Sequence, residues 1–259
     1  MEGKPSFITA CLDGSIAASG LRRIREYRNE LGLKARPESM SEAEWELRKH
    51  KLVFKFVDSL LDNEPQARHL ADDRLAQTVQ NAFLHFAEKR YHLYAFVVMP
   101  SHHHWLFLPK ADWTEEFAIS QTGKKNVRTP RESISHSIQS YTGNQCNRFL
   151  EKEGAFWQTE TFDHFARDEA EMHRIIQYIE RNPVVAGLVS RAEDFRWSSA
   201  QLRRNLGLPC GEAIPQNVLG LHDIWNTGTQ AHPDSSQSHP DGSQAGSLCH
   251  VESEQDQSC

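Results

Sequence analysis

Apolar positions follow two rhythms along this chain. Ser6-Phe7-Ile8-Thr9-Ala10-Cys11-Leu12 alternates as a short strand does, and Asp13-Gly14 stops it. Residues 20–62 read as mainly helical and charged. Between Asp72 and Arg90, Leu75, Val79, Ala82, Phe83 and Phe86 recur at helical spacing, with acidic residues in the first turn and Lys89-Arg90 in the last. Tyr94-Ala95-Phe96-Val97-Val98-Met99 is too short and β-branched for a helix and predicts a buried strand. Pro100-Ser101 turns it, His103 to Leu108 return as a second strand, and Pro109 closes the hairpin. Residues 109–131 lack periodicity and read as a basic, mobile loop. Ile134, Ile138 and Tyr141, at i, i+4 and i+7, predict a helix that buries all three. Asp168 with Glu171 three residues on resembles a capping box, and Met172, Ile175, Ile176 and Ile179 form the buried stripe of a helix that Pro183 should stop.

These elements predict an α+β domain over residues 1–205 with a loop insertion at about 109–131. A short extension, 206–226, would follow. Residues 227–259, rich in Ser, Gln, Gly, Asp and His, read as a disordered tail. No run of 18 apolar residues is present and the N-terminus lacks a signal-peptide core, so the expectation is a soluble, cytoplasmic protein with no membrane partner. Five scattered cysteines without CxxC spacing fit reduced thiols better than a disulfide frame or a zinc site.

The net charge of −6, taken alone, disfavours nucleic acid. Five carboxylates, however, fall in residues 227–259, which hold no Lys or Arg. Setting them aside leaves 30 of the 35 acidic residues against 29 basic ones. Lys124, Lys125, Arg128 and Arg131 form a local basic stretch and are the candidate phosphate contacts. Arg22, Arg23, Arg25 and Arg28 form a weaker second group, offset by Glu26 and Glu30.

Candidate chemistry concentrates at two places. In His102-His103-His104, strand alternation turns His102 and His104 to one face, where two imidazoles can share a divalent ion, or simply make a polar strand edge. Tyr178 and Asn182, at i and i+4, lie on the flank of the apolar stripe and can present a hydroxyl beside an amide. Together they suggest a cation held by neutral ligands that polarises a phosphate while a tyrosine attacks phosphorus. No carboxylate pair with suitable spacing stands out, which argues against a two-metal nuclease. Tyr141 is the other candidate nucleophile, and Trp157 and Trp197 are candidates for stacking on bases.

The stretch from Arg90 through Phe96-Val97-Val98-Met99-Pro100-Ser101-His102-His103-His104 resembles the strand–turn–HUH segment of REP-associated tyrosine transposases, in the HUH single-tyrosine nuclease group. Gly154-Ala155-Phe156-Trp157-Gln158, Phe162-Asp163-His164, Tyr178-Ile179-Glu180-Arg181-Asn182-Pro183-Val184 with Ala186-Gly187-Leu188, and Arg196-Trp197-Ser198-Ser199-Ala200 are similar to their second block. The matches keep family order and span roughly residues 6–200.

The resemblance implies a ferredoxin-like fold, helices packed on a central antiparallel sheet. It implies His102, His104 and Asn182 as metal-side residues, Tyr178 as nucleophile, Mg2+ or Mn2+ as cofactor, and single-stranded or hairpin DNA as partner. The chain departs from the pattern at His103, usually hydrophobic, at Ser101, commonly Asn, and at Gln139, often Lys. The expected function is a single-strand DNA endonuclease and strand transferase, as monomer or homodimer. The alternatives are a hairpin-DNA-binding protein or repressor of the same fold, a water-using phosphodiesterase, or a structural protein with coincidental histidines.

Overall fold

A computed structural model describes residues 3–207 apart from 124, 126, 160 and 161. The expected tail, and all of the expected extension beyond Gly207, lie outside the described residues. Four strands, β1 (Ser6–Cys11), β2 (Tyr91–Val98), β3 (His102–Pro109) and β4 (Phe162–Phe165), form one sheet in the order β2-β3-β1-β4. Every pairing is antiparallel. Between β1 and β2 run α1 (Ala18–Leu33), α2 (Glu42–Asn63) and α3 (Asp73–His85). Between β3 and β4 run α4 (Ala111–Gln121) and α5 (Pro130–Leu150), and α6 (Glu169–Val185) and α7 (Ser199–Asn205) follow. The order is the ferredoxin-like one, with β1 and β3 central and each crossover returning through helices.

Helices cover both faces. On one, α3 supplies Phe83, whose ring stacks at 4.8 Å on Trp105, itself 4.0 Å from Phe107. On the other, Ile175, Ile176 and Ile179 of α6 pack with Phe7, Val97 and Leu106, while Val53, Val57, Leu60 and Leu61 of α2 join Cys11, Ile16 and Ile24. A capping box closes the start of α2, where the Ser41 hydroxyl accepts from the Glu44 amide and the Glu44 carboxylate accepts from that of Ser41. The site lies on this second face.

Five expectations are corrected. Residues 111–121 are helical, but none of the residues of α4 is buried, so no apolar stripe announces it; Trp113 and Phe117 stack on each other along its side at 5.0 Å. Tyr141 is 54% exposed, because the buried stripe of α5 runs from Ile134 and Ile138 through the small residues Thr142 and Cys146. Pro183 does not stop α6, which continues to Val185; so near the end its missing N–H removes only one bond. Lys89 and Arg90 lie beyond α3, which ends at His85, and the Arg90 guanidinium stacks 3.7 Å above Phe86. Asp168 caps α6 through the Glu171 amide at 2.7 Å, yet the Glu171 side chain turns to Lys51, Arg167 and His164.

Candidate metal centre and tyrosine

The turn between β2 and β3 sets the site. Met99 donates to the carbonyl of His102 at 2.8 Å, so Pro100 and Ser101 alone make the bend. The bend is anchored from both sides, since Leu12 donates to the Ser101 carbonyl at 2.9 Å and Leu70 to that of Pro100 at 3.1 Å. Alternation then turns His102 and His104 towards α2 and α6, and both are fully buried.

Neighbouring hydroxyls fix the two imidazoles. Thr9 stands directly across from His104 in the β1–β3 register, and its Oγ1 lies 2.7 Å from His104 Nδ1. The Ser101 Oγ lies 2.9 Å from His102 Nδ1 and donates its single hydrogen to the Leu61 carbonyl, also at 2.9 Å. Ser101 must therefore accept from His102, which puts the ring hydrogen on Nδ1 and leaves a lone pair on Nε2. That Nε2 lies 3.1 Å from His104 Nε2.

Asp58 and Asn182 complete the cluster. Asp58 Oδ1 is 3.2 Å from His104 Nε2 and 3.7 Å from His102 Nε2. The Asn182 amide nitrogen is 3.3 Å from His104 Nε2 and 3.4 Å from Asp58 Oδ2, and a half-turn of that amide would present its oxygen instead. Among the described residues, Asp58, His102 and His104 are the one group of three His, Cys, Asp or Glu that could hold a metal ion, their ligand atoms all within 4.8 Å.

A divalent cation fits this donor set. Among the described residues the buried Asn182 Oδ1 has no hydrogen-bond partner and Asp58 Oδ1 has only His104 Nε2 at 3.2 Å, and two imidazole nitrogens converge beside them. Converging lone pairs repel unless a proton or a cation lies between them. Burial would raise the Asp58 carboxyl, but the imidazoles of His104 and His102 and the Tyr178 hydroxyl outweigh it and hold it at about 2. Burial, aided by His104, lowers His102 to about 3. The site thus offers an anionic carboxylate and a neutral imidazole at neutral pH. Asp62, one turn beyond Asp58, is raised by burial and by Asp58 to about 7.

Tyr178 sits beside the cluster, its ring centroid 5.6 Å from that of His104, and its hydroxyl donates to Asp58. Burial, then Asp58, raises its phenol well above the ordinary value.

The sequence brought His102, His104, Tyr178 and Asn182 forward, and the fold brings them together. It did not bring forward Asp58 and Asp62, an i, i+4 carboxylate pair on α2, so the expectation that no such pair would be present is corrected. The signal was available: Asp58 falls between Val57, Leu60 and Leu61, where a carboxylate needs a buried partner.

Lys125 and Arg128 are exposed, Arg131 pairs with Asp163 and lies 5.2 Å over Phe165, and Lys124 is outside the described residues. Trp157 and Trp197 are buried, with their indole N–H groups on Thr142 and Asp73. His103 faces the opposite side of the sheet, between Phe83 and Trp157, and neither ring nitrogen finds a partner among the described residues. Burial lowers it well below the usual histidine range, so it packs there as a neutral ring. Cys11 and Cys146 are free thiols, and no described helix is long and apolar enough to cross a membrane.

No family model and no curated protein matches this chain. Among solved structures, the chain is similar to that of a REP-associated tyrosine transposase bound to a REP hairpin. The two are 16% identical over 83% of this chain and 87% of that one, with a TM-score of 0.45.

Proposed function

We propose that this chain is a single-strand DNA endonuclease and strand transferase of the REP-associated tyrosine transposase kind, with Tyr178 as nucleophile. The observation that carries the reading is one cluster in which a tyrosine hydroxyl, two converging imidazoles, a carboxylate and an amide meet. The His102-x-His104 and Tyr178-x-x-x-Asn182-Pro183 strings support it, the first with His103 in place of the usual hydrophobic residue.

His102, His104 and Asn182, joined by Asp58, would hold a Mg2+ or Mn2+ ion. Bound there, such an ion supplies positive charge that polarises a phosphate oxygen and stabilises the developing phenolate. The chain's own groups do the rest. Thr9 and Ser101 hold the imidazoles in place. Asp58 accepts the Tyr178 hydrogen bond, so the phenolic proton is directed to it as the oxygen attacks phosphorus. The new Oη–P bond forms as the P–O3′ bond breaks, and the proton taken from Tyr178 balances the one gained by the departing 3′-oxygen, leaving a 5′-phosphotyrosine and a free 3′-hydroxyl. Tyr178 and His104 of one chain are in contact, so one protomer suffices.

The Tyr178–Asp58 hydrogen bond also favours a second reading. A phenol tied to a buried carboxylate can serve packing alone, in a hairpin-DNA-binding protein or repressor. Labelled single-stranded and hairpin DNA incubated with Mn2+ on a denaturing gel separates the two. A protein–DNA adduct that disappears in Tyr178→Phe is expected. Retarded DNA with no adduct or cleavage, across metals and substrates, selects the binding protein. Cleavage that persists in Tyr178→Phe would point to attack by water.

A further inference from the structure

Beside the tyrosine lies a cavity of about 480 Å3, walled by Phe7, Phe54, Phe162, Ile175 and Tyr178. The Phe54 and Phe162 rings are 5.1 Å apart and tilted by 51°, and Phe54 lies 5.8 Å from Tyr178. Its rim is cationic. On α2, Arg48, Lys51, Lys55 and Asp58 follow one another at i+3 or i+4, so one side of the helix leads from basic residues to the site. On α6, Arg174, Tyr178 and Asn182 form the facing row at i+4 spacing. Arg174 lines this cavity and also a second one, about 290 Å3, on the far side of Tyr178 with Arg181 and Gln177.

The carboxylates at the rim are already neutralised. Glu171 is bound by Lys51 at 2.7 Å, Arg167 at 2.8 Å and His164 at 3.1 Å, and Asp163 pairs with Arg131. Lys55 and Arg174, exposed, have no carboxylate partner among the described residues. An aromatic-walled hollow with unpaired cations on both sides of a tyrosine fits an unpaired nucleotide: the base lies against the rings, and the flanking phosphates against the cations. A duplex has no free base face to offer such a hollow.

We propose that the groove between α2 and α6 is the track of an unpaired DNA strand, with one base lodged against Phe54 and Phe162 and the adjoining phosphates on Lys55 and Arg174. The proposal rests on the Tyr178 reading for the strand's polarity of use, but its binding surface is tested without any chemistry. It moves the main phosphate contacts away from Lys125 and Arg128.

The test is fluorescence anisotropy of a short labelled oligothymidylate, in Tyr178→Phe background and without added metal. Lys55→Glu with Arg174→Glu should weaken binding at least tenfold and lower the log–log salt slope by about 1.4, at roughly 0.7 per phosphate contact on a single strand. Phe162→Ala should weaken it roughly 5- to 160-fold, the range for losing one base stack. Lys125→Glu with Arg128→Glu should leave affinity within about twofold, since one or two unengaged surface charges act only through a screened field. Circular dichroism melts confirm that each variant is folded. Equal binding of a blunt duplex, or loss confined to the Lys125/Arg128 variant, overturns the groove. If the groove variants lose binding while wild-type protein forms no adduct, the nucleophile fails and the groove stands. If adduct forms normally in the groove variants carrying Tyr178, the groove fails alone.

Discussion

Replacing Ser101 by alanine tests the logic of the site through one oxygen atom. The Ser101 hydroxyl is 1% exposed at the residue level, donates to the Leu61 carbonyl and accepts from His102 Nδ1, each at 2.9 Å. Alanine leaves both buried groups without that partner. At about 1–3 kcal/mol for each orphaned group, with some relaxation, the domain should lose about 2–4 kcal/mol. The second effect is on the ring. With no acceptor at Nδ1, the hydrogen is free to move to Nε2, where it would block the lone pair that faces His104. Loss of an outer partner of this kind lowers metal affinity by roughly 10- to 100-fold. Urea unfolding measures the first effect, and calorimetric titration with Mn2+ on the folded variant measures the second. Thr9→Val is the matched control for His104. A variant that loses stability yet binds Mn2+ with unchanged affinity would refute the claim that Ser101 sets the His102 tautomer.

Two stability predictions follow from buried ions elsewhere. Arg203 donates from Nε to Glu180 at 2.6 Å, with the two side chains 1% and 0% exposed, so Arg203→Met strips the cation from a buried carboxylate and should cost about 3–5 kcal/mol. Adding Glu180→Leu should recover most of that loss in a denaturation cycle, and a strictly additive double variant would contradict the pairing. Burial pushes Glu171 up, but hydrogen bonds from Arg167, Lys51 and His164 outweigh it and hold the carboxyl well below the usual range. A depressed carboxylate contributes stability above its unfolded value, near pH 4.3, and that contribution fades as the pH falls further. Thermal melts from pH 6 to pH 3 should therefore show a shallower acid limb in Glu171→Gln; parallel limbs would remove Glu171 from the account.

What was legible in the sequence was what short-range order encodes. Alternation placed His102 and His104 on one face and His103 on the other, and the 3.6-residue rhythm placed Tyr178 and Asn182 on one side of α6. For Asp58 only its place among Val57, Leu60 and Leu61 was legible, because which residues a buried carboxylate meets depends on the chain's topology. Its partners Tyr178 and Asn182 lie 120 and 124 residues away. The helix α4 escaped for the opposite reason, since it buries nothing and leaves no periodic trace. Tyr141 was misplaced because small residues, Thr142 and Cys146, continue the buried stripe of α5. The basic stretch drew attention by density alone, whereas Lys55 and Arg174 are far apart in sequence and line one cavity only in the fold.

The Thr9–His104 contact joins residues 95 positions apart, and Asp58 meets Tyr178 and Asn182 over 120 and 124. The β2–β3 hairpin carries His102 and His104 and α6 carries Tyr178 and Asn182, so each fragment holds only a part of the site. Its parts converge only when α2, α6 and the sheet have docked, a slow class of event because loop closure must precede reward. A cation held there would discriminate sharply between native and unfolded chains and would raise the stability of the whole domain by RT ln(1 + [M]/Kd). The shift of the melting midpoint with Mn2+ concentration would then serve as a readout of completed topology, and a truncation lacking β1 should show none.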